Sequence, residues 1–420
     1  MTARLDTIRV GFIPLLDCAP LIVAHETGIA AEEGLALDLH KETSWATLRD
    51  RLAVGHLDAG HSLAPMPIAA KLGLAPLASD LVVPMALCSG GNTITIAERL
   101  WLELADLGAP EHFDARATLT ALAALIARHA AAGLPRLTFG IVHAHSAHHY
   151  ELAYWLAAGG IRPGVDIDLV AVPPSLMAAA LASGRIQGFC AGEPWGTAAV
   201  SEGAGRILIT NAHIWTNSPE KVLGVRAAWA QSLPEVNQRL IRAVYRAALW
   251  CDAPANQDTL AILLKQPGYV GRPREQIAIG LSRCIQSPGG SREPVEGFLN
   301  FAGKAQTFPW VSHALWFYSQ MVRWGQATLS PQAVAATRAT YRPEMYRAAL
   351  GSRGITMPAA NSKLEGALTA ETPVGSTSGR LVLGPDTFFD GRVFDPEDIV
   401  GYLASLRGSD PSAPSPAIEG

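Results

Sequence analysis

No stretch of this 420-residue sequence approaches the roughly 18 consecutive apolar residues that would suggest a membrane-spanning helix. Charge of one sign is missing too. Lys and Arg number 33 against 37 Asp and Glu, a formal net charge of −4, so no basic excess points to nucleic acid or an anionic membrane. Cysteine is scarce: the 5 residues, at 18, 88, 190, 251 and 284, are odd in number and show no C-x-x-C spacing. That excludes a disulfide or zinc framework and leaves reduced, mostly buried thiols as the expectation. No G-x-S-x-G, P-loop or H-E-x-x-H occurs, and Ser89-Gly-Gly-Asn92 does not match G-x-G-x-x-G. These gaps favour binding over catalysis. The first residues lack the basic start and apolar run of a secretory signal and lead at once into Ile8-Arg-Val-Gly-Phe-Ile-Pro14. If Met1 is the native start, the chain is expected in the cytoplasm.

What is present is an ordinary globular composition, 49% hydrophobic and 17% charged, long enough for two cores. Up to about residue 230, apolar strands alternate with helices. Strands are expected at 8–13, 35–40, 57–61, 137–142, 166–172, 186–190 and 206–210, with helices at 19–27, 45–54, 118–131, 147–158 and 175–183. Such alternation indicates α/β units on parallel, doubly wound sheets. A weak internal repeat sharpens this. Ala53-Val-Gly-His-Leu-Asp-Ala-Gly-His61 parallels Ala182-Ser-Gly-Arg-Ile-Gln-Gly-Phe-Cys190 as helix end, glycine turn and short strand, with Pro65 and Pro194 following. Two similar lobes are therefore expected, against the alternative of two βα units alike by chance. From about 233 to 352 the pattern is helical, 359–381 reads as a linker, and a helix is expected near 397–406. The expected organisation is a first lobe (1–112), a second lobe (113–212), a return with the helical region (213–358), a linker and extension (359–407), and a disordered tail (408–420).

Four segments carry candidate chemistry. Val142-His-Ala-His-Ser-Ala-His-His-Tyr150 holds four of the twelve histidines. A metal site is one reading, but the run crosses a strand–loop–helix junction where side chains diverge. The other reading has Ser146 capping a helix and His148 in its first turn, where free N–H groups and the positive dipole end suit an anion. Trp45 begins another helix, either as core or as a flat ring and N–H donor to a planar ligand. In Cys190-Ala-Gly-Glu-Pro-Trp195, Gly192 lets backbone N–H groups approach a ligand closely. Lys221, in Asn217-Ser-Pro-Glu-Lys221, is placed just before a strand, where most lysines are solvated surface.

Several of these pieces together resemble the nitrate and bicarbonate binding proteins of the NrtA/CmpA type. The matching segments are Gly11-Phe-Ile-Pro-Leu-Leu-Asp-Cys-Ala-Pro-Leu21, Ser44-Trp45, His61-Ser-Leu-Ala-Pro-Met-Pro67, Tyr154-Trp-Leu-Ala-Ala-Gly-Gly160, Val172-Pro-Pro, Phe189-Cys-Ala-Gly-Glu-Pro-Trp195, Pro219-Glu-Lys221, Trp250-Cys-Asp252 and Phe388-Phe-Asp-Gly. The resemblance implies a two-lobe type II periplasmic-binding-protein fold with a helical C-terminal extension. It implies an anion site with Trp45 as stacking ring, Asn92 in place of a longer Gln amide, His148 at a helix start, a backbone contact at Ala191 or Gly192, and Lys221 as the cation. Bicarbonate binders of this type carry an acidic residue with a metal ion at the Lys221 position, so Lys221 implies a metal-free monovalent anion, nitrate or nitrite, with no cofactor. The missing export signal points further, to the cytosolic nitrate/nitrite sensors of the NasS type. These hold an ANTAR-class RNA-binding antiterminator (NasT-like) and release it on ligand binding, and do not contact nucleic acid or membrane themselves. The alternatives are the substrate-binding component of an ABC importer, and an enzyme like the relatives on this fold used in pyrimidine synthesis for thiamine, with His148 and Cys190 as its reactive groups.

Overall fold

The computed structural model describes residues 4–406. Ten strands build two five-stranded sheets: β1 (Asp6–Phe12), β2 (Leu35–Lys41), β3 (Ala59–Leu63), β4 (Leu81–Ser89), β5 (Asn92–Ala97), β6 (Leu137–Ile141), β7 (Ile167–Ala171), β8 (Gly188–Gly192), β9 (Gly205–Thr210) and β10 (Pro219–Arg226). The strand orders are β2-β1-β3-β10-β4 in one lobe and β7-β6-β8-β5-β9 in the other. The internal repeat falls on equivalent places, since β3 and β8 each stand third in their sheets. In each copy the helix ends in a left-handed glycine, Gly55 (φ 78°) or Gly184 (φ 73°), a conformation strained for any residue with a β-carbon.

The sheets are not purely parallel. β1, β2 and β3 run parallel, as do β6, β7 and β8, but β10 is antiparallel to β3 and β4, and β5 is antiparallel to β8 and β9. The reversed strands are those by which the chain crosses between lobes, and a crossing strand enters the sheet from the opposite end. The first crossing occurs at Gly90–Gly91, since β5 already belongs to the second sheet, ahead of the 112/113 boundary expected from sequence. β4 and β5 have no counterpart among the expected strands. All nine residues of β4 are buried, so no polar alternation marks it.

Beyond β10 the helix Pro234–Asp252 packs on the helix Ala19–Glu26, and the helix Val311–Arg323 is buried along its whole length. The expected linker at 359–381 contains a hairpin, Thr372–Val374 with Leu381–Leu383. What ties this segment down is a buried charge cluster. The Lys363 ammonium contacts the Glu365 and Asp386 carboxylates, Ser312 Oγ donates to Glu365 Oε1 at 2.5 Å, and the Trp215 indole N–H donates to Asp386 Oδ1 at 2.5 Å. The Trp215 ring packs against Trp316 (4.7 Å between centroids) and Phe388 (4.5 Å), and Trp316 Nε1 reaches Tyr402 of the final helix, Ile399–Leu406. The tail expected at 408–420 lies outside the described residues.

Lys363 is the cation between two buried carboxylates, so removing it leaves uncompensated charge. Lys363→Met is expected to lower the unfolding free energy by about 3–5 kcal/mol. Urea titration checks this; a loss under about 1 kcal/mol would show that the cluster does not hold the extension.

Candidate functional site

The carboxyl ends of the strands in both lobes face one another across a crevice, the usual ligand position in open α/β sheets. From the first lobe come Asp17 after β1, His61 in β3, Glu220 and Lys221 in β10, and Trp45 at the start of the helix Trp45–Ala53. That helix is capped by Ser44 Oγ, which accepts from Thr47 N at 3.1 Å. From the second lobe come Asn92 at the start of β5, Gly192 at the end of β8, and His148 in the first turn of the helix Ala147–Ala158. Ser146 caps this helix by accepting from His149 N at 3.1 Å. Each of these residues is buried.

Lys221 does not precede a strand and is not solvated, as most lysines in such a setting are; it is the third residue of β10 and fully buried. Its Nζ lies 2.9 Å from Asp17 Oδ2, contacts Glu220 Oε1, and stands 5.5 Å from the centre of the Trp45 ring. Asp17 Oδ1 is 2.9 Å from His61 Nε2, and His61 Nδ1 accepts from Ile13 N at 3.4 Å, which leaves the His61 proton on Nε2, facing Asp17. The His61 ring lies 5.3 Å from that of Trp45. Glu220 gathers the other side: Asn92 Nδ2 donates to its Oε2 at 2.5 Å, and His148 Nδ1 is 3.4 Å from its Oε1.

Trp45, Asn92 and His148 therefore meet around Lys221 and Glu220, with Ala191 and Gly192 on the adjoining strand β8. Ala191 lies one residue earlier in β8 and pairs with Thr93, whereas Gly192 pairs with Asn92. A β-carbon on Gly192 would come within 2.8 Å of Leu15, 3.3 Å of Asn92 Oδ1 and 3.5 Å of Asp17 Oδ2, so only glycine leaves that wall open. Sequence reasoning missed Asp17, His61, Glu220 and Glu151. A signal existed: Asp17 and Glu220 are acidic residues inside otherwise apolar or strand-forming segments, where a lone carboxylate needs a buried partner.

Burial and charge fix the protonation states. Burial raises the Asp17 carboxyl, but the Lys221 charge and His61 outweigh it and hold the group well below its usual range. Burial lowers the Lys221 ammonium, but Asp17 and Glu220 outweigh it and keep it charged. His148 is pushed well below the usual imidazole range by burial and by Lys221, so it is a neutral ring beside the ammonium. The Trp45 indole N–H and both ring nitrogens of His148 are buried and have no hydrogen-bond partner among the described residues. Buried donors of this kind normally bond to something.

The remaining histidines of the 142–150 run are held by other groups. His145 Nδ1 is 3.0 Å from Tyr150 Oη, His149 Nδ1 is 2.6 Å from Ala144 O, and His143 Nε2 faces Arg49 Nη1 at 3.4 Å across the lobes. Among the described residues no group of three or more His, Cys, Asp or Glu could hold a metal ion. The Cys190 thiol is kept protonated by burial and by the Glu151 and Glu220 carboxyls, the opposite of what a nucleophile needs.

Residues 2–265 match the NMT1-like family. Over 412 residues the chain is 32% identical to the nitrate/nitrite binding protein NrtA of Synechococcus elongatus, covering 95% of this chain and 86% of that one. The chain belongs to the NMT1-like family, in its NrtA/CmpA-type branch. It is also 33% identical over 401 residues to the nitrate import ATP-binding protein NrtC of Synechocystis, covering 94% of this chain but 54% of that protein, so it spans about half the length of that relative. The crystal structure of the periplasmic nitrate-binding protein NrtA from Synechocystis superposes with a TM-score of 0.82 at 28% identity, covering 96% of this chain and 98% of that one. The fold is accordingly the two-lobed periplasmic-binding-protein fold. The NrtA relatives, which the chain spans nearly in full, are named as binding proteins and not as enzymes.

The protonation states carry a direct expectation. His143 and His145 titrate at about 4, lowered by burial, then by a neighbouring histidine and Arg49. Nitrogen-15 NMR of labelled histidine should therefore find His143, His145 and His148 neutral at about pH 6, below the ordinary histidine midpoint. A doubly protonated His148 ring at that pH would contradict the site's electrostatics.

Proposed function

We propose that this chain binds nitrate or nitrite in the crevice around Lys221. The observation that carries the reading is a buried ammonium beside the Trp45 ring, with the Trp45 indole N–H and the neutral His148 ring left without hydrogen-bond partners. A small anion removed from water needs several donors and a positive charge, and this set supplies both. The indole face beside Lys221 suits a planar ion. A lysine at position 221, where the bicarbonate binders of this type carry an acidic residue with a metal ion, favours a metal-free anion, in keeping with the names of the NrtA relatives.

The site residues are buried, so the ligand reaches them only when the lobes part. Contacts that must break on opening include Leu16 N to Glu193 O (2.9 Å), Trp195 Nε1 to Pro14 O (3.0 Å) and Asn92 Nδ2 to Glu220 Oε2. A ligand that joins both lobes favours the closed form, which any downstream partner can read.

As to the setting, the names of the relatives support a substrate-binding component of an ABC importer for nitrate or nitrite. The finer reading, a cytoplasmic sensor that sequesters an ANTAR-type antiterminator and releases it on ligand binding, rests on the sequence resemblance to NasS-type proteins. Mixing the purified ligand-free chain with an ANTAR-domain protein decides between them: a complex that nitrate disperses supports the sensor, and no complex supports the importer.

Nitrate or nitrite at a hundred times its dissociation constant should stabilise the protein by about 2.7 kcal/mol, seen as a higher melting temperature, while bicarbonate and chloride should not. Lys221→Glu should abolish nitrate binding in calorimetry. Trp45→Phe, which keeps the ring and removes one N–H, and His148→Ala should each weaken it by about 1.5–3 kcal/mol. Undiminished nitrate affinity in folded Lys221→Glu or in Trp45→Phe would overturn the site.

A further inference from the structure

The buried cluster holds more negative charge than an anion site needs. One cation, Lys221, is enclosed with three carboxyl groups: Asp17 after β1, Glu220 beside it on β10, and Glu151 one turn beyond His148 on the helix Ala147–Ala158. None is more than 2% exposed. Asp17 alone matches the Lys221 charge at 2.9 Å. Glu220 is thus a second counterion to an ammonium that already has one. It also touches the very groups expected to hold the ligand, since Lys221 Nζ, Asn92 Nδ2 and His148 Nδ1 all face its two oxygens. Any anion placed among those donors sits against the Glu220 carboxylate with no solvent between them. Two like charges in such a place cannot both persist.

We propose that the site takes its anion together with one proton, and that the proton resides on the Glu220 carboxyl. In the free protein Glu220 is the counterion of Lys221. When the anion arrives, Glu220 accepts a proton from solvent as the lobes close, becoming a neutral hydrogen-bonding group, and the anion's charge replaces its own beside Lys221. The charge of the buried cluster is then the same before and after binding. This rests on the anion reading above.

The groups facing Glu220 make it the receiver. On the first lobe these are Lys221, Asp17, kept ionised by Lys221 and His61, and the buried Cys88 thiol. On the second lobe they are Asn92, His148, Glu151 and the buried Cys190 thiol. His148 is held neutral by burial and by Lys221, so it is a poor proton acceptor. Glu151 is raised well above the usual range by burial and by Glu220, against the Asn211 amide that donates to its Oε2, so burial favours its neutral form before any anion arrives. Glu220 is raised less, by burial, with Lys221 opposing, which leaves it free to change state. Glu193, pushed up to about 7 by burial, bonds Thr93 and Thr197 and not the donors of the site.

Calorimetric titration of the full chain with potassium nitrate, in buffers of low and high ionisation enthalpy between about pH 6 and 9, tests this. The expected result is uptake of up to about one proton per anion on the alkaline side, with affinity falling by up to about tenfold per pH unit there. In Glu220→Gln, a neutral isostere of the protonated acid, the uptake should vanish and affinity should be pH-independent and tighter than wild type at alkaline pH. Glu151→Gln and Glu193→Gln should keep the uptake. Wild-type nitrate binding with a buffer-independent heat and a flat pH profile would overturn the proposal even if the variants do not fold. So would uptake that survives in Glu220→Gln and is lost in Glu151→Gln, Glu193→Gln or His148→Gln. Absence of nitrate or nitrite binding at every pH would instead overturn the anion reading itself.

Discussion

A charged ammonium cut off from water governs this structure. Lys221 sits fully buried at the centre of the molecule, and its charge persists only because Asp17, 2.9 Å away, and Glu220 answer it. The demand propagates outward. Asp17 must be held on its turn after β1, and His61 does this from β3, itself fixed by the Ile13 N–H. Glu220 must be satisfied from the opposite lobe, and the Asn92 amide does that. Burial, with the same positive charge, keeps His148 neutral, so the site offers one cation and several neutral donors.

That arrangement follows from how the two lobes are built. Each sheet carries the same strand order, and in each the fourth strand is the one by which the chain crosses over. The crossing strands, β5 and β10, therefore bring Asn92 and Lys221 to the crevice side by side with the helix starts that carry Trp45 and His148. Helix N-termini supply free N–H groups and a favourable dipole for negative charge, and strand ends supply rigid anchors. A site assembled from both lobes can be reached only by separating them, so binding and lobe closure are the same event.

Much of this was legible in the sequence. The period of the strands and helices, the paired glycine turns at Gly55 and Gly184, and the Ser146 cap are local features, and local features survive translation into structure. The resemblance placed Trp45, Asn92, His148, Gly192 and Lys221, and the fold brings them together. What was not legible depends on long-range pairing. β4 shows no alternation because both faces are buried, β5 reverses direction because it is a crossing strand, and neither property is written in a short window. Asp17 and Glu220 read as ordinary acidic residues until the fold puts them against Lys221, 204 and one positions away along the chain respectively. Missing them made Lys221 look like a lone cation, when its charge is already matched in the closed protein.

The most direct measurement is a crystal structure of the chain grown with nitrate. The account predicts one planar anion against the Trp45 ring, its oxygens within roughly 3 Å of Trp45 Nε1, His148 Nε2 and Lys221 Nζ. An ordered nitrate bound elsewhere, with those three atoms arranged as they are here and none of them touching it, would contradict the account.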